Sequence, residues 1–227
     1  MVKFELYPFQ KNLVSEFKTH RFNILRKFRQ AGCTTLVAAY SLWKCIFTDH
    51  FKVVILSKDD DASMEVLSRM KTAYDELPAW MKRGLIKDSA HSMKFDNGSE
   101  IKSKSSSKQS GRSVAGSLLI LDEAAFIENI DTIWAAAFPI ISTGGSVIAL
   151  STVNGVGNWF HKTYVDAEIG ANNFKPTKLP WTVHPEYTQE WFVNMTKNMS
   201  KRDIAQEFEC NFNASGETVR SEEHTSE

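Results

Sequence analysis

The sequence predicts an α/β fold, a mostly parallel central sheet covered by helices on both faces, and three observations carry that expectation. Short apolar runs recur at Phe22-Asn23-Ile24-Leu25, Lys52-Val53-Val54-Ile55-Leu56-Ser57, Ser117-Leu118-Leu119-Ile120-Leu121 and Ser146-Val147-Ile148-Ala149-Leu150-Ser151, each the length of a buried strand. Helix-forming stretches separate them, and a strand, helix, strand alternation calls for crossover connections between parallel neighbours. The junction from the first strand to the first helix, Arg26-Lys27-Phe28-Arg29-Gln30-Ala31-Gly32-Cys33-Thr34-Thr35, has the length and ending of a phosphate-binding loop.

Taken in order, Thr34 to Phe47 is apolar nearly all round and reads as a buried helix. Asp59-Asp60-Asp61 caps a helix running to about Glu76, stopped by Pro78. Ser92-Met93-Lys94-Phe95 and Glu100-Ile101-Lys102 flank Asp96-Asn97-Gly98-Ser99, a hairpin signal that inserts an antiparallel pair. Lys102 to Ser113 holds four cations and six serines and reads as a flexible loop. Helix returns from about Ile130 to Ala137 and opens again at Asn158-Trp159-Phe160. Pro180 to Pro185 is a turn-bounded extended piece, and Thr188 to Asn198 is helical with Trp191 and Phe192 on its apolar face.

Set against the pattern G-x-x-x-x-G-K-[ST], Gly32 and Thr34 fall in place, Cys33 occupies the lysine position and Lys27 stands where the first glycine would be. Backbone N–H groups at the start of the following helix would supply an anion site. Four apolar residues then run straight into Asp122-Glu123, delivering two carboxylates to the C-terminal edge of the sheet. In phosphoryl transfer the first such acid holds magnesium and the second orients the attacking water. Loop and acids together, in this order, point to an ATPase, a P-loop NTPase with an additional strand beside the catalytic glutamate.

The sequence resembles the N-terminal ATPase domain of the large terminase subunit of tailed bacteriophages, the T4-like group in particular. The resemblance rests on Tyr7-Pro8-Phe9-Gln10, Arg29 to Thr35, Leu119 to Phe126, Ser151-Thr152-Val153-Asn154-Gly155 and Gln206-Glu207-Phe208-Glu209-Cys210. It implies ATP and Mg2+ as cofactors, double-stranded DNA bound without regard to sequence, a portal protein and a small terminase subunit as partners, and self-association into a ring. It places the protein in the host cytoplasm and transiently on the viral procapsid. It also implies a P-loop ATPase core over residues 1–165 and a lid-like or linker subdomain over 166–217.

Roles follow residue by residue. Phe9 and Gln10 match the adenine-recognition motif, although an aromatic that fills the core would look the same. Gln30, Ala31, Gly32, Cys33, Thr34 and Thr35 would wrap the phosphates, Thr34 and Asp122 would hold the metal, and Glu123 would be the general base. Ser151 and Thr152 match the coupling motif, whose hydroxyls sense the γ-phosphate or simply form a polar turn. Arg29 matches the arginine that senses the γ-phosphate. Cys33 departs from the pattern, since a thiol with an ordinary pKa near 8.5 cannot replace an ammonium; Lys27 is the replacement cation, or else the loop is inactive. Arg112 matches an arginine placed just before the acidic strand, so it is an arginine finger for a neighbour, a DNA contact, or part of a solvated loop.

Composition narrows the field. The 27 basic and 27 acidic residues cancel, so any DNA contact must come from a local patch. Cys33, Cys45 and Cys210 are scattered without metal-ligand spacing, and His161 and His184 have no partners at ligand spacing, so they read as packing or surface residues. No run of about 18 apolar residues and no signal peptide is present, which suggests a soluble intracellular protein with no membrane partner. After Gly216 too few residues remain for the nuclease domain that large terminases carry, so nuclease activity is not expected. Residues 218–227 lack the character of what precedes them and read as a disordered, extraneous tail, or as an acidic one. A helicase-like translocase and an inactive nucleotide-binding scaffold are the alternative functions.

Overall fold

The apolar runs form the strands, and the order in which they pair decides where the polar chemistry lies. The computed structural model describes residues 5–104, 116–137 and 142–213. Its strands are β1 (Phe22–Lys27), β2 (Lys52–Leu56), β3 (Leu85–Ser89), β4 (Ser92–Phe95), β5 (Glu100–Lys104), β6 (Leu118–Asp122), β7 (Ser146–Ser151) and β8 (Lys175–Leu179). They form one sheet in the order β3-β4-β5-β2-β6-β7-β1-β8. All pairs from β5 to β8 are parallel, while β3-β4 and β4-β5 are antiparallel. Strand β7 lies between β1 and β6, so the phosphate-loop strand and the acidic strand are next-but-one neighbours whose C-terminal ends point the same way.

Helices α1 (Pro8–Thr19), α2 (Cys33–Phe47), α3 (Asp60–Asp75), α4 (Ile130–Ala136), α5 (Trp159–Glu168), α6 (Gln189–Thr196) and α7 (Lys201–Glu207) connect and cover the strands. The expected cap of α3 is present: Ala62 N–H donates to Asp59 Oδ1 at 2.7 Å, a contact worth about 1 kcal/mol. One stripe of α3, Val66, Leu67, Met70 and Tyr74, is buried at helical spacing. The core is continuous through the sheet, with Ile24, Leu25, Ile55, Leu56, Leu119, Ile120, Ile148 and Leu150 essentially inaccessible to solvent.

Four expectations are corrected. The hairpin is a three-stranded meander, because β3 pairs with β4 in spite of an exposed, weakly patterned sequence. The piece Pro180 to Pro185 holds a 3-10 turn at Trp181–Val183 instead of being extended throughout. Lys201–Glu207 is a helix that the sequence did not announce, capped by Ser200, whose Oγ accepts from Asp203 N–H at 3.1 Å. Finally, β8, a strand that the sequence pattern does not predict, follows α5 and joins the main sheet by pairing with β1. Lys175, Pro176 and Lys178 hide that strand from any alternation pattern, and its edge position is what admits the proline.

Ile120 sits in the middle of β6 at 1% exposure. Ile120→Ala is expected to lower unfolding stability by about 2–5 kcal/mol in urea titration; a loss below about 1 kcal/mol would mean that the centre of the sheet repacks freely.

Candidate nucleotide site

The loop between β1 and α2 turns at Gly32, which has φ +66° and is the N-cap of α2 with no side chain capping it. A Cβ there would lie 2.9 Å from Gln10 Nε2, the movable end of a side chain, so it is the conformation that calls for glycine. An uncapped helix start leaves its first N–H groups pointing toward an incoming ligand. Next to it lies a cavity of about 460 Å³ lined by residues that include Lys27, Arg29, Thr34, Asp122, Glu123 and Thr152, and the loop bounds a second cavity of about 260 Å³.

Inside the first cavity, Thr34 Oγ1 donates to Asp122 Oδ1 at 3.1 Å. Burial pushes the Asp122 carboxyl up to about 6, with Lys27 working against that rise and the Glu123 charge adding to it. An acidic oxygen stripped of water and sharing its space with a hydroxyl is what a hard divalent cation requires. Among the described residues no group of three His, Cys, Asp or Glu could hold a metal. Magnesium fits this arrangement, because it keeps most of its waters and takes few protein ligands.

Glu123 is fixed on both carboxylate oxygens. Lys27 Nζ donates to Oε1 at 2.8 Å, while Ser151 Oγ at 3.3 Å and Thr152 N–H at 3.4 Å donate to Oε2. Its backbone is left-handed, φ +50°, and Ser151 Oγ also accepts from Ala125 N–H at 3.2 Å, bracing the turn. Ser151 is fully buried, so its hydroxyl serves the glutamate and does not face the phosphate cavity. Lys27 is 3% exposed. Burial pulls its pKa down, but Glu123 and Asp122 outweigh that and raise it, so it stays an ammonium.

The remaining expected residues divide clearly. Cys33 is buried, its Sγ 4.0 Å from Ala31 O, and burial lifts its thiol to about 12, so it carries no charge. Ala31 is buried too and lines neither cavity: its N–H donates to Phe28 O at 3.3 Å and its carbonyl accepts from Gln10 Nε2 at 3.3 Å. Arg29 turns to the C-terminal region: its N–H donates to Glu207 O at 2.9 Å and its guanidinium pairs with Glu207 at 3.4 Å. Gln30, Gly32, Thr34 and Thr35 line the second cavity. Gln10 binds protein on both ends of its amide, accepting from Tyr7 N–H at 3.1 Å and donating to Ala31 O at 3.3 Å. Phe9 packs with Tyr7 and His184 at centroid distances of 6.0 and 6.2 Å, and neither Phe9 nor Gln10 lines the two cavities. His184 is a packing residue, stacked on Tyr187 at 3.8 Å. Arg112 lies outside the described residues, as do 218–227.

The model of the family described as "Terminase large subunit, T4likevirus-type, N-terminal" matches residues 24–224. The chain belongs to this family. Among individual terminases, the probable large subunit gp28 of Escherichia phage Mu is 30% identical over 136 residues, 51% of this chain and 24% of that protein, so the match spans about a quarter of its length. The large terminase ATPase domain of Thermus phage P74-26 superposes with a TM-score of 0.72 at 19% identity, covering 92% of this chain and 94% of that one. The large terminase of another thermophilic bacteriophage, in complex with ADP, gives 0.75 at 12% identity, covering 92% and 54%. These structures show that the fold of this terminase domain is theirs. Among the described residues no helix is long and apolar enough to cross a membrane.

Sequence reasoning missed Arg69, Lys58 and Glu65, which come from α3 and the segment between β2 and α3 to line the first cavity. Nothing in an amphipathic helix marks one exposed arginine as facing a site.

Because Asp122 titrates higher folded than its ordinary 3.8, the folded state binds more protons between about pH 4 and 6, and stability falls as pH rises through that window. Asp122→Asn should therefore raise stability at pH 7 by roughly 1–3 kcal/mol, with the gain vanishing below about pH 4. Thermal melts at both pH values measure it; a variant less stable than wild type at neutral pH would refute the assignment.

Proposed function

We propose that this domain hydrolyses ATP and that, as part of a large terminase, it turns hydrolysis into movement of double-stranded DNA into a procapsid. The observation that carries the reading is the meeting of Thr34, Asp122, Glu123 and Lys27 at the start of α2. In this reading the loop amides and Lys27 hold the phosphates, and Thr34 and Asp122 hold magnesium, which would supply charge neutralisation on the β- and γ-phosphates. Glu123, fixed by Ser151 and Thr152, takes the proton of the attacking water, and Arg29 leaves Glu207 to meet the γ-phosphate. Phe9 and Gln10 are proposed to meet the adenine, for whose edge Gln10 keeps one N–H and one lone pair.

Residues 166–217 are proposed to act as a lid or linker that responds to the nucleotide, with β8 as its fixed root. A portal protein, a small terminase subunit and further copies of the domain in a ring are the proposed partners. The host cytoplasm and the procapsid surface are the proposed locations.

ATP turnover with and without magnesium tests the reading. Lys27→Ala should lower turnover by about 10²–10³, while Cys33→Ala changes little. Equal sensitivity of the two positions, or no magnesium-dependent turnover in wild type, would count against it.

Arg112 is proposed to act on a neighbour's ATP. Glu123→Gln subunits should bind ATP without hydrolysing it, and Arg112→Ala subunits should bind ATP but gain no turnover on assembly. Mixing the two should restore activity at interfaces where an intact Arg112 meets an intact Glu123. Mixtures that only dilute each defect would place Arg112 in its own site or in the fold.

A further inference from the structure

Lys27, Arg29, Thr34 and Arg69 are the four residues that line both cavities around the loop, and Arg69 is the one with no assigned role. It arrives from α3, a helix that otherwise packs its apolar stripe on the sheet. Resting on the ATP-site reading above, we propose that Arg69 is a phosphate-binding residue, supplying from α3 the charge that the loop gave up at Cys33.

Its guanidinium is aimed rather than loose. One nitrogen donates to Thr35 Oγ1 at 3.0 Å, in the first turn of α2, and another donates to Glu65 Oε1 at 2.6 Å one helical turn back on α3. Thr34 turns its hydroxyl to Asp122 and marks the metal side of that first turn. Thr35 is the next residue around the helix, so Arg69 flanks the same turn on another side, with the uncapped N–H groups between. A planar fork with five donors keeps N–H groups to spare after these two bonds, in a geometry matched to phosphate oxygens.

Charge counting favours the same role. A neutral Cys33 removes the ammonium that would stand beside the bound phosphates, and Lys27 arrives already paired with Glu123. A triphosphate with its metal still carries net negative charge, and Arg69 is placed to meet it. Its side chain is 44% exposed, so it stands at the cavity mouth rather than within the core. Glu65, 65% exposed, partly neutralises the guanidinium and yields to a more highly charged anion.

The test uses calorimetry with two probes, ATP and inorganic tripolyphosphate, on the intact chain. Arg69→Gln should weaken both by about tenfold or more, because the contact is to phosphate and not to the base. Glu65→Gln, which frees the guanidinium, should tighten both by ~2–5-fold. An Arg69→Gln protein that binds tripolyphosphate within about twofold of wild type would overturn the assignment. So would weakening of ATP alone, or a Glu65→Gln protein that weakens as Arg69→Gln does. Wild type that binds neither probe would overturn the ATP-site reading itself, and is distinguished because the failure precedes any substitution.

Discussion

One buried ion pair organises this domain. Lys27 ends β1 and Glu123 follows β6, strands that β7 separates, so their 2.8 Å contact spans the sheet edge across the end of the strand between. Ser151 and Thr152, at that intervening end, hold the other carboxylate oxygen. Three adjacent strand ends are thereby locked to one carboxylate. Removing one partner from such a pair typically costs about 3–5 kcal/mol, because the other charge is left buried. Register errors in the middle of the sheet would break it, so the chemistry and the strand order specify one another.

The same edge also touches the C-terminal part of the described chain. Arg29, two residues past Lys27, holds Glu207 by backbone and side chain, and Trp181 N–H donates to Phe208 O at 2.9 Å just beyond. The phosphate loop is thus in direct contact with the last described helix. Arg26, one residue before Lys27, lies against the rings of Tyr164 and Phe212 at 4.3 and 4.5 Å. Consecutive side chains of one strand end thus face the cavity at Lys27 and pack on Tyr164 and Phe212 at Arg26.

Much of this was readable in the sequence, and the rest was not for physical reasons. The parallel strands were legible because burial on both faces demands unbroken apolar runs, as in Leu118 to Leu121. The loop, the acids and the polar turn after β7 announced themselves by residue type. β8 did not, because an edge strand held by backbone bonds needs no apolar pattern, and Pro176 argues locally against it. Lys27 stands out in the sequence as the cation at the start of the loop, but its pairing with Glu123 depends on strand order. For Ser151 the sequence leaves a phosphate contact and a polar turn both open, because it shows that a hydroxyl ends a strand but not which way the last residue points. Arg69 carries no local signal at all, since the contact that gives it meaning lies 34 positions away at Thr35.

In the reading proposed above, the cation of the site sits on a strand instead of in the loop, which changes how it is held. A lysine beside Thr34 would ride on the first turn of α2 and shift whenever the loop breathes. Lys27 instead belongs to a strand paired on both sides, to β7 and β8, with its buried ammonium held by the half-buried Glu123 carboxylate. The ammonium is thereby tied to the sheet through β1 and Glu123 rather than to the first turn of α2. A signature that keys on a lysine next to the hydroxyl residue meets Cys33 at that address in this chain, while the ammonium lining the cavities belongs to Lys27, seven positions before Thr34.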